Sequence, residues 1–309
     1  MYRTILRIGN TSTLIVTHPS CVDEPSSLIG EPKTIEKYDF LCFILPEGQK
    51  KQMLDLQCKI LYTHQFEGMY KKFFLTYMFQ YGLVAETNLT ENIIRIYLLN
   101  RKLNWKSHYL IRSIIKKHIL RLVFGRGDAP IHAAALYINN LQCGMIIIGK
   151  NGAGKSSMVW KLVNSMDALL VADDTSIISK ENGCISGDGG SIYVRPDFVQ
   201  RYKIPKSQYR IVSAGRKIEI PFAPSSQMQF VPKYLCFVNS MYYKDMQLAS
   251  VDYAVDEIEH VHCNWCYNKY EKDIYIRNVR LMLSNIVGIY NCNLEDENID
   301  RMIKIILSQ

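Results

Sequence analysis

Eight consecutive residues, Gly149-Lys150-Asn151-Gly152-Ala153-Gly154-Lys155-Ser156, match G-x-x-x-x-G-K-S, the pattern of a phosphate-binding loop. Its glycines let main-chain N–H groups turn inward around an anion without side-chain clash. A helix starting at the loop would set its positive dipole end against the same anion. Lys155 would reach the outer phosphates, and the Ser156 hydroxyl would bind Mg²⁺. Ser157 ends the stretch expected to touch the ligand, a nucleoside triphosphate or similar polyphosphate. A second candidate pair, Asp173-Asp174, begins 18 residues past Lys155. Two adjacent carboxylates can hold Mg²⁺ together, or one can hold the metal while the other accepts a proton from an attacking hydroxyl. Asp-Asp also opens turns and caps helices; its place beside the loop is what favours chemistry.

These residues need elements to position them. Met145-Ile146-Ile147-Ile148 reads as a buried strand entering the loop, and Ser157 to Val163 has helical apolar spacing. Ala168 to Ala172 reads as a second buried strand that delivers the acidic pair at its end, where ligand groups sit in open α/β sheets. Before the loop, Ile131-His132-Ala133-Ala134-Ala135-Leu136-Tyr137-Ile138 reads as one strand, with Asn139-Asn140 turning into the next. A lone histidine on such a run is usually a satisfied core residue. Arg195 and the Gly215-Arg216-Lys217 run offer positive charge to a phosphoryl group, although exposed arginines are usually only surface.

The rest of the chain bounds the answer. At 309 residues, 48% apolar and 21% charged, it has ordinary globular composition. The start lacks the apolar region of a secretory signal, and no run approaches the ~20 apolar residues of a membrane helix. The nine cysteines have no framework spacing and read as reduced thiols, so the expected place is the cytoplasm. His260-Val261-His262-Cys263-Asn264-Trp265-Cys266 has local zinc-ligand chemistry, but the next cysteine is Cys292; ordinary side chains are the expectation, with zinc left open. Net charge is +8, and between Arg101 and Arg126 lie eight Lys/Arg and no Asp or Glu. That stretch reads as an amphipathic helix. Ile111, Ile114, Ile115, Ile119, Leu122 and Val123 form its apolar stripe, with Arg112, Lys116, Lys117 and Arg121 largely off it. The basic face is solvated or attracts an acidic partner; nucleic acid ranks low because no nucleic-acid module accompanies it.

Residues 1 to 105 read as a smaller α+β domain suited to substrate recognition, with strands at Thr13–Thr17, Phe40–Leu45 and Ile93–Leu98 and a helix around Met69 to Tyr81. Residues 106 to 309 read as the nucleotide-binding domain, with a later strand at Tyr234–Val238, a hairpin turn at Glu181-Asn182-Gly183 and a helix from about Asn278 to Tyr290. The fold class is α/β.

The order His132, Gly149 to Ser156, Val171-Ala172-Asp173-Asp174 resembles the HPr kinase/phosphorylase family, whose nucleotide-binding core is shared with phosphoenolpyruvate carboxykinase. The resemblance covers roughly residues 108 to 200. It implies a core of the HPr kinase C-terminal-domain type, ATP and Mg²⁺ as cofactors, and phosphoryl transfer to a hydroxyl, usually a protein serine. It places Lys155 and Ser156 on phosphates and metal, one of Asp173 and Asp174 as base, and His132 near the transferred group. Ser157 stands where these kinases commonly carry an acid, and their C-terminal signature and N-terminal region are not matched. Those departures point away from HPr as substrate and toward divergent members, some of which phosphorylate ribosomally made peptides such as lasso peptide precursors. The acceptor expected is therefore a peptide or small protein. Two rivals are a kinase of a free small molecule such as serine and a nucleotide-sensing module without catalysis. Homo-oligomerisation stays open.

Overall fold

A computed structural model describes residues 2–8, 11–17, 39–46, 65–70, 73–78, 83–98, 105–150, 152–187, 189–212, 217–222, 228–238, 247–262, 266, 269–293 and 296–308. The protein is a mixed α/β chain. It divides into two compact units, one of residues 1–7 with 11–126 and the other of residues 8–10 with 127–309. This division falls later than the boundary expected at residue 105.

Among the described residues, the N-terminal unit has a seven-stranded mixed sheet and a long helix, α1 (Trp105–Gly125). The helix lies against the strands at 73–78, 83–88 and 93–98, which is why the basic stretch groups with the first unit. Of its expected stripe, Ile114, Ile115, Ile119, Leu122 and Val123 are buried, and the side chains of Ile111 and Arg112 lie outside those described. Arg121 departs from expectation, since it is buried as well, with its guanidinium 4.9 Å from the Phe124 ring centre. An arginine can bury its stem and stack its planar head on an aromatic face, so its charge did not keep it outside. The helix expected around Met69 to Tyr81 is instead a hairpin of two strands, Gln65–Tyr70 and Phe73–Met78, with Tyr70 opposite Phe73. Its aromatic residues suit a pleated surface better than a helix.

The second unit is built on a six-stranded sheet ordered β11-β9-β10-β17-β19-β18. Its members are β9 (Ala133–Ile138), β10 (Cys143–Ile148), β11 (Ala168–Ala172), β17 (Pro232–Val238), β18 (Gln247–Leu248) and β19 (Gly288–Cys292). Met145 to Ile148 are wholly buried, as a central strand covered on both faces requires. One face packs α2 (Lys155–Ser165) through Met158, Val159 and Leu162, each burial contributing about 1.5–3 kcal/mol. The helix expected over 278–290 runs from Lys269 to Leu283, and Tyr290 lies on β19. Gly288 and the turn before it end the helical spacing that the apolar pattern alone carried forward.

Strand directions set the site. β10 runs antiparallel to β9 and parallel to β17, and β11 is antiparallel to β9. The C-terminal ends of β10 and β11 and the beginning of β9 therefore share one edge of the sheet. The run expected as one strand over 131–138 is two: Ala129–Ile131 pairs in a separate three-stranded sheet, and β9 starts at Ala133. His132 is the corner where the chain changes sheets.

Candidate functional site

The loop after β10 turns tightly, with Ala153 N–H donating to Lys150 O at 3.0 Å. Gly152 and Gly154 have φ of 81° and 106°, the left-handed region that side chains disfavour. Gly149 has another reason to lack a side chain: a Cβ there would lie 2.6 Å from the Val238 carbonyl oxygen. Helix α2 begins at Lys155 with no side-chain cap on its first turn, so its N-terminal amides open toward the loop.

Lys155 is 6% exposed. Its ammonium donates to the Gly149 carbonyl and to His132 Nε2, each at 2.9 Å. Burial pushes the Lys155 pKa down, and the Asp174 and Asp173 carboxylates pull against that shift. His132 Nδ1 lies 2.7 Å from the main-chain oxygen of Asp174. A carbonyl oxygen only accepts, so Nδ1 carries the proton and Nε2 presents its lone pair to Lys155. One hydrogen-bonded chain thus runs from loop to lysine to histidine to the acidic pair.

The two aspartates stand in different surroundings. Asp173 is 4% exposed, and both of its oxygens are engaged. Oδ1 accepts from Ser156 Oγ at 3.3 Å, a loose contact, and Oδ2 accepts from the main-chain N–H of Tyr193 at 3.1 Å. Asp174 is half-buried, and its carboxylate makes no hydrogen bond among the described residues. Its φ of 67° turns the backbone into the left-handed region, which Asp tolerates better than most residues.

The edge thus gathers Gly149, Gly152, Ala153, Gly154, Lys155, Ser156, His132, Asp173 and Asp174, with Ser157 half-buried in the first turn of α2. Asn151 and Arg216 lie outside the described residues, as do Cys263 and the side chains of His260 and His262. Arg195 is exposed and Lys217 half-buried, and among the described residues neither bonds to His132, Lys155, Asp173 or Asp174. Tyr193 was not legible as a site residue, because a main-chain N–H leaves no trace in residue type. Ser156 and Asp173 are neighbouring hard oxygen donors of the kind that hold Mg²⁺, an ion that takes one or two protein oxygens and fills its octahedron from phosphate and water. No helix among the described residues is long and apolar enough to cross a membrane. No protein-family model matches this chain, and no curated protein matches it.

Proposed function

We propose that this protein is a Mg²⁺–ATP-dependent phosphotransferase acting on a Ser or Thr hydroxyl of a peptide or small protein, such as a ribosomally made peptide precursor. The observation that carries the reading is the convergence of the glycine-rich loop, Lys155, His132 and Asp173-Asp174 on one sheet edge, joined by the hydrogen bonds of 2.7 and 2.9 Å at His132. The order of these motifs resembles the HPr kinase/phosphorylase core, whose fold and chemistry the proposal adopts.

The loop amides and the α2 N-terminus would hold the phosphates, and Ser156 with Asp173 would hold Mg²⁺. The metal, when bound, neutralises charge on the phosphates and the leaving oxygen. Lys155 would move from Gly149 and His132 onto the outer phosphate oxygens. The two aspartates then divide the work according to their surroundings. Asp173, fixed by Ser156 and Tyr193, suits the metal side. Asp174, with its carboxylate uncommitted, would take the acceptor's proton as the hydroxyl oxygen bonds to the γ-phosphorus and the bond to ADP breaks. His132, through Nδ1–H on the Asp174 carbonyl, would keep that residue turned toward the acceptor.

The test uses the full chain with γ-labelled ATP, Mg²⁺ and a pool of Ser-bearing peptides, read by intact mass. A peptide that gains one phosphoryl group with wild type and not with Lys155→Ala is the expected result. Tight ATP binding with no labelled peptide or small molecule would sink the reading and leave a nucleotide sensor.

A further inference from the structure

A second three-stranded sheet, ordered β14-β16-β15, is formed by β14 (Ser191–Val194), β15 (Arg210–Val212) and β16 (Lys217–Pro221). Ile192, Val194, Ile218 and Ile220 point into the core beside α2. β15 pairs with β16 on one side, and among the described residues no strand pairs with its other side. Ile211, on this outer strand, is 68% exposed. A strand edge left this way offers main-chain N–H and C=O groups to another extended chain.

Charge says which chain. Residues 195 to 219 contain seven Lys/Arg and two Asp/Glu, so the region attracts acidic partners. Arg201, Lys203, Lys206 and Arg210 are all exposed. Of the two acids, Glu219 is held within its own sheet, accepting from Ser191 Oγ at 2.9 Å and Tyr193 OH at 3.3 Å. A second copy of this chain added edge to edge would bring the same cations together, and like charges at strand contacts oppose pairing. An acidic peptide meets no such opposition.

Position links this edge to the chemistry. β14, on the far side of the sheet, is the strand whose Tyr193 N–H holds Asp173 at 3.1 Å. With strands about 4.8 Å apart, a chain added at β15 would run about 14 Å from β14. About four or five extended residues span that distance.

We propose that the edge of β15 that no described strand pairs takes an acidic, extended peptide segment by strand addition, and that this segment is the docking arm of the phosphoryl acceptor. The reacting hydroxyl then lies about four or five residues from the docked acids, a spacing that follows from strand geometry. The docking step stands on the edge and its charge; its role as acceptor recognition rests on the transferase reading.

The experiment measures fluorescence anisotropy of a labelled peptide of alternating Glu and Val, titrated with the full nucleotide-free chain. Binding is expected, with about tenfold weakening when Gln replaces Glu or when the protein carries Arg210→Glu. N-methylation of the peptide backbone should weaken binding about tenfold at alternate amides and spare those between, the period of strand pairing. No binding, or equal loss at every amide, overturns the proposal. So does concentration-dependent self-association in sedimentation that Ile211→Lys abolishes, which would assign the edge to a second copy. Labelled-ATP transfer to a Ser-extended version of the peptide separates the two ideas. Docking without ATP binding or transfer would sink the transferase reading alone; transfer indifferent to Arg210→Glu would sink the docking edge alone.

Discussion

His118 and His132 lie fourteen residues apart, each on an apolar run, and the structure gives them opposite surroundings. His118, on α1 in the N-terminal unit, is wholly buried, with Nδ1 2.5 Å from Thr87 Oγ1. Burial, helped by the charges of Arg121 and Lys117, pushes its pKa down to about 3. His132, in the second unit, is half-buried and sits between the Lys155 ammonium and the Asp174 main chain. Burial keeps the His118 ring neutral, while the His132 ring is placed by its contacts to Lys155 and the Asp174 carbonyl. What separates them is the setting: His118 meets a threonine hydroxyl inside the core, whereas His132 meets a buried lysine whose charge feels two carboxylates.

Breaking the second unit's arrangement should cost the most. Lys155→Ala is expected to lower transfer at least about 10²-fold, as removal of a charge-stabilising group does. Asp174→Asn should lower it about 10²- to 10⁴-fold with an unchanged melting curve, because Asn accepts the left-handed φ of 67°. Activity surviving in Asp174→Asn and vanishing in Asp173→Asn would reverse the roles assigned to the pair.

The two histidines should then part company. His132→Ala is expected to lower kcat about 10²-fold with little change in stability. His118→Ala should leave kcat near wild type and cost roughly 2–4 kcal/mol of stability in denaturant unfolding, through the cavity and the stranded Thr87 hydroxyl. A catalytic loss in His118→Ala without destabilisation would erase the contrast.

Acidity offers a gentler probe. The unfolded chain binds a proton at His118 near 6.5, while the folded form resists it down to about 3. Stability is therefore complete above pH 6.5 and falls as pH drops, by up to about 1.4 kcal/mol per pH unit. Thermal unfolding from pH 7 toward pH 5 should show this slope, and His118→Gln should flatten it. At the small end, Lys117→Gln on the exposed side of α1 should change stability by less than about 0.5 kcal/mol.

Legibility followed the range of the forces involved. The strand, glycine loop and helix at 145–163 were readable because buried strands, positive-φ glycines and helical spacing are local. The Asp173-Asp174 position was readable for the same reason, as one helix and one strand fix how far the chain travels. Local pattern was ambiguous at 69–78, where lysines and aromatics imitate helical spacing, and at 278–290, where one apolar pattern continues from a helix through a turn into a strand. Arg121 was misplaced because its type predicts exposure, and only the packing of α1 on the strands and the ring of Phe124 could reverse that.

The sequence alone determined an α/β chain with a glycine-rich loop between a strand and a helix and two carboxylates delivered nearby, since residue type and short spacing suffice for these. Only the tertiary structure decided that β9 lies between β10 and β11, with His132 at the same edge as their C-terminal ends. It alone separated the committed Asp173 from the open Asp174, and left β15 with one edge unpaired among the described residues. Those outcomes depend on strand order and direction, which arise from contacts between residues distant in sequence, and no local pattern encodes them.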